Sequence, residues 1–343
     1  MMAEGNEAPH VITWELTRAC QLHCRHCRAK AIPRRDPAEL SLDEISTVLD
    51  DLTLGFPHPP IVVFTGGDPL ERFDLPDIIK AAVSRGLVTA VAPSVTPKLT
   101  VSATKMWRDL GVHSISLSLD GVDAPTHDGF RGVRGTFDRT VTMAEAVVNQ
   151  GTHLQINTAI SPYTVHQVPQ MASLVQFLGV SSWELFFVIP TGRARTVDAL
   201  DAEQIERVLE WLAEFAPRQH FRVTVVGAPQ WTRVRHQAVP GTGMRTIARE
   251  ARGFAFIDHR GEVFPSGYLP VSAGNVRSSA FSQIYLDSEL FQNLRDAKRF
   301  RGACGSCEYR EVCGGSRARA FALTGDVFAS DPGCPRTLAV PSA

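Results

Sequence analysis

The sequence has no surplus of charge of either sign and no long hydrophobic run. Its 35 Lys and Arg residues are balanced by 36 Asp and Glu residues, which gives a formal net charge of −1. Electrostatic nucleic-acid binders carry basic clusters, and no block rich in Lys and Arg is present, so we expect no nucleic-acid partner. The most apolar stretches, such as 183–190, have the length of a strand rather than of a bilayer-spanning helix. We therefore expect no membrane partner either.

The N-terminal residues lack the basic and apolar segments of a secretory signal, and we predict that 1–7 is a short leader. Seven cysteines, in one group of three and one of four, cannot all pair as disulfides. Such clustering indicates metal ligation in a reducing compartment rather than a secreted disulfide scaffold. We expect a cytoplasmic protein with a substantial core, because 44% of its residues are hydrophobic and 21% are charged.

Three cysteines lie within eight residues, in the order Cys20-x3-Cys24-x2-Cys27. Neighbouring cationic side chains favour the thiolate, which is the form that ligates metal. Structural zinc sites and most iron–sulfur clusters have four protein ligands, whereas three thiolates would leave one iron open to another ligand. Spacing alone also allows a zinc site completed by His23 or His26.

Strand-like and helix-like segments alternate through the first two thirds of the chain. A strand at 11–17 delivers the cysteine loop, and the continuous apolar run 61–65 has the composition of a strand buried on both faces. Ser41 and Glu44 form a capping box that predicts the start of the first helix. The alternation predicts an α/β fold with a parallel sheet, either curled into a partial barrel or open and doubly wound. The further predicted strands are 88–92, 114–119, 153–159 and 183–188, and the further predicted helices are 75–85, 100–110, 136–150, 164–178 and 202–215.

The pattern changes near residue 221. A strand at 221–226 precedes a segment without clear periodicity at 227–244, and a hairpin is predicted over 253–264. A second cysteine group then follows in the order Cys304-x2-Cys307-x5-Cys313-x20-Cys334, which is a full set of four ligands. By spacing alone this group could also bind zinc.

The first cysteine group, placed after an apolar run, resembles the signature loop of the radical S-adenosylmethionine (SAM) enzymes. The second group, with the preceding Gly-Glu-Val-Phe-Pro at 261–265, is similar to the SPASM and twitch extensions of the enzymes of alternative haem and haem d1 biosynthesis and of their nucleoside- and peptide-modifying relatives. The resemblance implies a partial (β/α)6 TIM-type barrel at 8–218 and a small C-terminal α+β auxiliary iron–sulfur domain at 219–343.

The resemblance also implies two clusters. Cys20, Cys24 and Cys27 would hold a [4Fe–4S] cluster whose open iron binds SAM. The four later cysteines would hold one fully ligated auxiliary [4Fe–4S] cluster, since Ser266 stands where fuller SPASM domains place an additional cysteine.

A turn directly after the buried strand, Gly66-Gly67-Asp68-Pro69, resembles the family's methionine-binding turn, with Asp68 in place of the usual Glu. Arg131 occupies a position where similar enzymes bind the SAM carboxylate, which a guanidinium group matches with two hydrogen bonds. The remaining residues that we expect to contact SAM are Ser94, Ser118, Asn157 and Val188.

This chemistry consists of reductive cleavage of SAM and abstraction of hydrogen from a small-molecule substrate, with a reductant such as flavodoxin or ferredoxin. We expect radical decarboxylation of a sugar acid of a nucleoside or of a tetrapyrrole side chain, because a radical near a carboxyl group can lose carbon dioxide. The alternatives are cross-linking or epimerisation of a ribosomal peptide and, in another class, a non-enzymatic zinc-stabilised binding protein. Candidate substrate-binding residues are Arg193, Arg233, Arg235 and His236.

Overall fold

The structure is a computed structural model that describes residues 8–238 and 249–337, so the predicted leader lies outside the described residues. The strands are β1 (Val11–Glu15), β2 (Ile61–Thr65), β3 (Thr89–Val91), β4 (Ser114–Ser118), β5 (His153–Ile160), β6 (Ser182–Phe187), β7 (Arg222–Val226), β8 (Arg249–Glu250), β9 (Gly253–Ile257), β10 (Glu262–Phe264) and β11 (Gly274–Asn275). The helices are α1 (Leu42–Leu54), α2 (Leu75–Ser84), α3 (Val101–Asp109), α4 (Ala124–Arg131), α5 (Thr136–Asn149), α6 (Val168–Phe177), α7 (Ala202–Phe215), α8 (Trp231–Ala238), α9 (Phe281–Asp287), α10 (Glu289–Arg295), α11 (Gly302–Ser306) and α12 (Arg317–Thr324).

One sheet runs through the molecule in the order β11-β10-β9-β1-β2-β3-β4-β5-β6-β7, and β8 pairs with β9. Strands β1 to β7 are parallel to their neighbours, which confirms the predicted α/β fold with a parallel sheet. The strand predicted at 221–226 is β7, and it extends the parallel series past the six strands of the predicted barrel. The proposed domain boundary at 218/219 therefore falls between two paired strands, and the division stays a prediction.

The hydrophobic core lies between the sheet and the helices on its outer side. In β2, Val62 and Phe64 are fully buried on the helix side, while Val63 and Thr65 line an internal cavity. The sequence predicts that this strand is buried on both faces, but its inner face is open because the curled sheet encloses a bore. At the start of α1, Ser41 Oγ accepts from the Glu44 N–H, and the Glu44 carboxylate accepts from the Ser41 N–H, as the capping box predicts.

Two helices differ from the sequence expectation. No helix is predicted around Arg131, but this segment forms α4, whose N-cap Asp123 accepts from the Thr126 N–H at 2.8 Å. Gly132, with φ +72°, ends this helix in the left-handed conformation that glycine adopts without strain. The helix α8 lies within the segment 227–244, where no periodicity was evident. Both are eight residues long, too short for a strong helical period.

The C-terminal region joins the barrel through its backbone. Strand β9 pairs in parallel with β1, in a register that aligns Val11 with Phe254 and Trp14 with Ile257. The antiparallel pairing of β9 with β10 matches the predicted hairpin. Within 8–238 and 249–337, no helix combines the length and apolar character needed to cross a bilayer.

Candidate active site

The loop that carries Cys20, Cys24 and Cys27 begins where β1 ends, at the carboxyl end of the parallel strands. The glycine turn after β2 supports it through main-chain contacts, since the Gly67 N–H donates to Thr17 O at 2.7 Å. A Cβ on Gly67 would lie 2.4 Å from Ala19 O, so only glycine fits against the loop here. The turn therefore positions the cysteine loop directly.

Each sulfur of this loop receives a weak hydrogen bond from the protein. The Leu22 N–H donates to Cys20 Sγ at 3.4 Å, the Ala31 N–H donates to Cys27 Sγ at 3.4 Å, and Arg131 Nη1 donates to Cys24 Sγ at 3.7 Å. Burial raises the pKa of the Cys20 thiol to about 11 and also raises the pKa of Cys24. A bound metal would offset this cost of forming a thiolate.

The three thiols line one internal cavity, and their surroundings fit an iron–sulfur cluster. Donor groups reach the sulfurs, as the ligands of such a cluster require, and a guanidinium lies beside the most buried thiol. In the described ranges, no three His, Cys, Asp or Glu side chains are already gathered at metal-binding distances. The assignment of these cysteines as ligands therefore stays a prediction, based on the loop and its donors.

Asp68 does not line the cavity. Its carboxylate is fully buried and accepts hydrogen bonds from Thr96 Oγ1 at 2.8 Å and from the Leu70 N–H at 3.2 Å. Burial raises the pKa of this carboxyl to about 6. Pro69 is also buried, at the start of a short 3-10 turn. Both residues shape the turn, whereas the predicted contacts Gly66, Gly67 and Ser94 do line the cavity.

Arg131, at the end of α4, forms a buried ion pair with Asp120, with 2.5 Å between Nη2 and Oδ2. Burial alone would raise the pKa of Asp120, but the adjacent guanidinium, two neighbouring imidazoles and the Ala159 N–H together hold that pKa below its usual range. The Asp120 carboxylate also accepts from the Ala159 N–H at 2.7 Å. Asp120 thus fixes the guanidinium of Arg131 next to Cys24, where it lines the cavity.

A row of polar side chains crosses four adjacent strands inside the bore. Ser118 on β4 aligns with Asn157 on β5, then with Glu184 on β6 and Thr224 on β7. The Glu184 carboxyl accepts from Thr224 Oγ1 at 2.9 Å and from Gln155 Nε2 at 3.0 Å, and burial raises its pKa. Ser118 and Asn157 were predicted from the sequence. Glu184 was not, because it lies between large apolar residues and only strand alternation indicates that it points inward.

The four candidate substrate residues have different surroundings. The Arg193 guanidinium donates to the main-chain carbonyls of Ala31 at 2.7 Å and of Cys24 at 3.4 Å, so it holds the cysteine loop. Arg233 pairs with Glu206 at 2.6 Å. His236 packs edge-on against Tyr309, with ring centroids 6.4 Å apart. Of the four, Arg235 lines the cavity, as does the predicted SAM contact Val188.

The C-terminal region supplies a wall of the cavity that sequence reasoning missed. We call Trp231, Phe254, Phe256 and Tyr268 the aromatic wall; all four line the cavity. Phe254 and Phe256 face it because β9 continues the sheet beside β1 and its alternate side chains point inward. Alternation within the predicted hairpin could have identified this pair, but the partner strand could not be read from the sequence.

The second cysteine group encloses a small pocket of about 20 Å³, lined by Cys304, Cys307, Cys313 and Cys334. The Asp331 N–H donates to Cys304 Sγ at 3.3 Å, and the Gly315 N–H donates to Cys313 Sγ at 3.5 Å. Burial raises the pKa of Cys313 to about 12 and that of Cys334 to about 11. Four sulfurs around one pocket, with donors directed at them, fit a fully ligated cluster.

The main cavity has a volume of about 1530 Å³ and reaches from the cysteine loop along the bore to the aromatic wall. Pockets for single drug-sized ligands are commonly about 300–1,000 Å³. This cavity is therefore large enough for a nucleoside cofactor together with a large substrate.

Comparison with known proteins gives consistent results. The family model described as the radical SAM superfamily matches residues 14–175. The AdoMet-dependent heme synthase of Oleidesulfovibrio alaskensis is 37% identical over 97% of this chain and 89% of that protein. The AdoMet-dependent heme synthase of Methanosarcina barkeri is 36% identical over 97% of this chain and 98% of that protein. The pre-heme d1 synthase of Dinoroseobacter shibae is 28% identical over 98% of this chain and 89% of that protein.

A solved structure shares the fold across nearly the whole chain. Streptococcus suis SuiB bound to S-adenosylmethionine superposes with a TM-score of 0.77 at 16% identity, covering 96% of this chain and 77% of that one. At this identity the match concerns the fold, and it extends through the C-terminal region as well as the barrel.

Proposed function

Since the chain belongs to the radical SAM superfamily, we propose that this enzyme decarboxylates propionate side chains of an iron tetrapyrrole and so forms the vinyl groups of haem. The observation that carries the proposal is the single cavity that joins the cysteine loop to the aromatic wall. The relatives named AdoMet-dependent heme synthase support it, at 35–37% identity over 97% of the chain. They favour a tetrapyrrole over the sugar acid of a nucleoside.

With its [4Fe–4S] cluster and SAM bound, a radical SAM enzyme generates a 5′-deoxyadenosyl radical that can remove a hydrogen atom from the substrate. The residues of this chain bind and orient the cofactors. Cys20, Cys24 and Cys27 would hold the cluster, and Arg131, which Asp120 holds where it lines the cavity, would bind the carboxylate of SAM. Ser118 and Asn157 also line the cavity, and the Asn157 amide oxygen already accepts from Gln155 Nε2 at 2.8 Å, which leaves its NH2 group for the cofactor.

The walls of the cavity suit a flat aromatic anion. Within the aromatic wall, Phe254 and Tyr268 are partly exposed and can stack against a tetrapyrrole, as aromatic groups do in other binding sites, whereas Trp231 and Phe256 are almost fully buried. Arginine side chains, among them Arg28 and Arg235, line the same cavity and can pair with carboxylates. Ring faces and guanidinium groups together fit a carboxylated macrocycle better than a neutral ligand.

Each propionate side chain that reacts loses one hydrogen atom, one carbon dioxide and one electron. Loss of a hydrogen atom from the carbon that bears the CH2–COO⁻ group leaves a carbon radical. The bond to the carboxylate then breaks, carbon dioxide and one electron leave, and the remaining two carbons form a vinyl double bond. The electron requires a one-electron acceptor, and we name an oxidised iron–sulfur centre as the chemical class. A flavodoxin or ferredoxin is the proposed reductant for the SAM cleavage.

Modification of a ribosomal peptide is the second candidate. Relatives named mycofactocin maturase and PqqA peptide cyclase match this chain at 28–29% identity, below the values for the relatives named heme synthase. The non-enzymatic zinc-binding alternative does not agree with membership of an enzyme superfamily that uses an iron–sulfur cluster.

The test uses full-length protein reconstituted anaerobically with iron and sulfide, supplied with SAM, a reductant and iron coproporphyrin labelled with carbon-13 in its carboxylates. We expect haem as the product. Labelled carbon dioxide and 5′-deoxyadenosine should form in equal amounts. Formation of 5′-deoxyadenosine without labelled carbon dioxide would reject decarboxylation while leaving radical SAM chemistry in place. In Cys20→Ala we expect no 5′-deoxyadenosine and about half of the iron, because the second cysteine group is intact.

A further inference from the structure

Haem retains two of the four propionates of a coproporphyrin, so an enzyme for this conversion has to distinguish carboxylates that leave from carboxylates that stay. The leaving groups must reach the cavity beside the cysteine loop, where the proposed chemistry takes place. The retained groups must then lie farther away, and charged propionates in a partly desolvated cavity need cationic partners. The arginines that line the cavity differ in the partners they already have.

The arginines near the cysteine loop are already paired. Arg28 forms an ion pair with Glu15, with 2.5 Å between Nη2 and Oε2, and lies over the ring of Phe256 at 4.3 Å. Arg131 is held by Asp120. These two guanidinium groups can orient the reacting part of the site, but each is already partly neutralised by a carboxylate.

Arg235 is different. It lines the cavity from the end of α8, its side chain is exposed, and within the described ranges it has no carboxylate within ion-pair distance. Its guanidinium lies 5.5 Å from the ring centroid of Trp231, which belongs to the aromatic wall. A cation at the edge of an aromatic surface is well placed for the carboxylate of a ligand stacked on that surface.

Arg249 has a related arrangement but is buried. It lines the same cavity, and its guanidinium donates to the main-chain carbonyls of Cys313 and of Glu311, the latter at 3.0 Å. No carboxylate of the described chain lies within ion-pair distance of it, and the neighbouring Glu250 accepts from Ser316 Oγ and from the Ala318 N–H. A buried guanidinium with only neutral acceptors would gain from an anionic partner.

Arg222 is the remaining arginine of the cavity. It begins β7, at the end of the barrel opposite to the cysteine loop, and its side chain is exposed. Its positive charge acts on the Glu184 carboxyl, where it opposes the effect of burial on the pKa, so Arg222 already has an acidic neighbour inside the bore.

We propose that Arg235 and Arg249 bind the carboxylates that the reaction leaves in place, and that they thereby determine which propionates of the tetrapyrrole reach the cysteine end of the cavity. This inference rests on the proposed function for the identity of the substrate. It adds the residues that set regiospecificity, and it assigns them to the C-terminal region rather than to the barrel.

The first test measures equilibrium binding without SAM, so that it does not depend on turnover. The probes are iron coproporphyrin and its tetraamide, which keeps the ring and removes the four negative charges. We expect the wild-type protein to bind the acid at least about tenfold more tightly than the tetraamide, the effect of one charge-assisted hydrogen-bonded pair. Arg235→Gln should reduce this preference severalfold. Arg207→Gln is the matched control, since Arg207 is an exposed arginine that pairs with Glu203 on α7.

The second test examines products. Wild-type enzyme should give a single divinyl isomer, whereas Arg235→Gln and Arg249→Lys should give mixed positional isomers and more 5′-deoxyadenosine per carbon dioxide. Because Arg249 contacts the second cysteine group, the iron content of Arg249→Lys is measured first. Arg235→Gln, which does not touch that group, gives an independent result.

The outcomes are distinct. If Arg235→Gln and Arg249→Lys, at wild-type iron content, keep both the preference for the acid and the single isomer, this inference is overturned and the proposed function stands. If the wild-type protein binds acid and tetraamide equally and releases no carbon dioxide from the acid, the proposed function is overturned together with it. Loss of the preference in Arg235→Gln but not in Arg207→Gln supports the proposal.

Discussion

Replacement of Asp120 by Asn should destabilise the protein strongly before the cluster is inserted and much less afterwards. The substitution keeps the shape of the side chain but removes the negative charge that Arg131 contacts at 2.5 Å. The Asp120 side chain is fully buried and that of Arg131 is 13% exposed, so the guanidinium would be left largely desolvated and unpaired.

The magnitude follows from this burial. Removing one partner of a buried ion pair costs about 3–5 kcal/mol, and the partial exposure of Arg131 places the expected loss near the lower end, at about 3 kcal/mol. In the cluster-loaded protein the thiolate of Cys24, whose sulfur accepts from Arg131 at 3.7 Å, becomes a replacement anion. We therefore expect the loss to fall to about half or less of its value without the cluster.

The assay is urea unfolding followed by circular dichroism, under anaerobic conditions, with and without reconstituted iron and sulfide. Asp50→Asn is the matched control, because Asp50 pairs with Arg85 at 2.7 Å on the surface and such pairs contribute at most about 1 kcal/mol. A loss below about 1 kcal/mol for Asp120→Asn without the cluster, or an equal loss with and without it, would refute the reasoning.

Three further predictions concern the cysteine loop and its supports. Because the folded-state pKa of Asp68 is raised to about 6, the folded protein binds a proton more tightly than the unfolded chain, so Asp68 lowers the free energy of unfolding as the pH rises from about 4 to 6. In urea unfolding across this pH range, the free energy of unfolding of Asp68→Asn should decline less than that of the wild type, by up to about 3 kcal/mol. If the two proteins show the same dependence on pH, the burial argument is contradicted. Gly67→Ala places a Cβ 2.4 Å from Ala19 O and should halve the iron bound after reconstitution, whereas Gly129→Ala, where no atom lies within 4 Å, should bind iron normally. Arg193→Ala removes donors to the main-chain carbonyls of the cysteine loop. The reconstituted variant should lose iron to a chelator several times faster than the wild type. Loss of iron at the wild-type rate would show that Arg193 does not hold the loop.

The order of strands and helices could be predicted because local signals carry it. Buried apolar runs of strand length, helical periodicity and the capping box at Ser41 each depend on a few neighbouring residues, and each corresponds to an element of the structure. The cysteine groups could be located for the same reason, since spacing and adjacent turns are properties of the sequence.

The composition of the cavity walls could not be predicted in this way. Phe254 and Phe256 face the cavity because β9 pairs with β1, a contact between residues more than 240 positions apart. Arg193 was expected at the substrate, but its guanidinium is occupied by the cysteine loop, which lies more than 160 residues earlier. Long-range backbone pairing decides both outcomes, and no local pattern encodes it.

The pairing of β9 with β1 has a consequence for how the protein can be divided. A fragment that ends at residue 218 would lack β7 and β9, and both β6 and β1 would become unprotected edges with free main-chain donors and acceptors. Exposed edges of this kind template association with other chains. Since β1 leads directly into the cysteine loop, such a fragment would aggregate through the strand that supports Cys20, Cys24 and Cys27. The C-terminal region thus covers the edges of the sheet at β1 and β6, and this role does not depend on what its own cysteines bind.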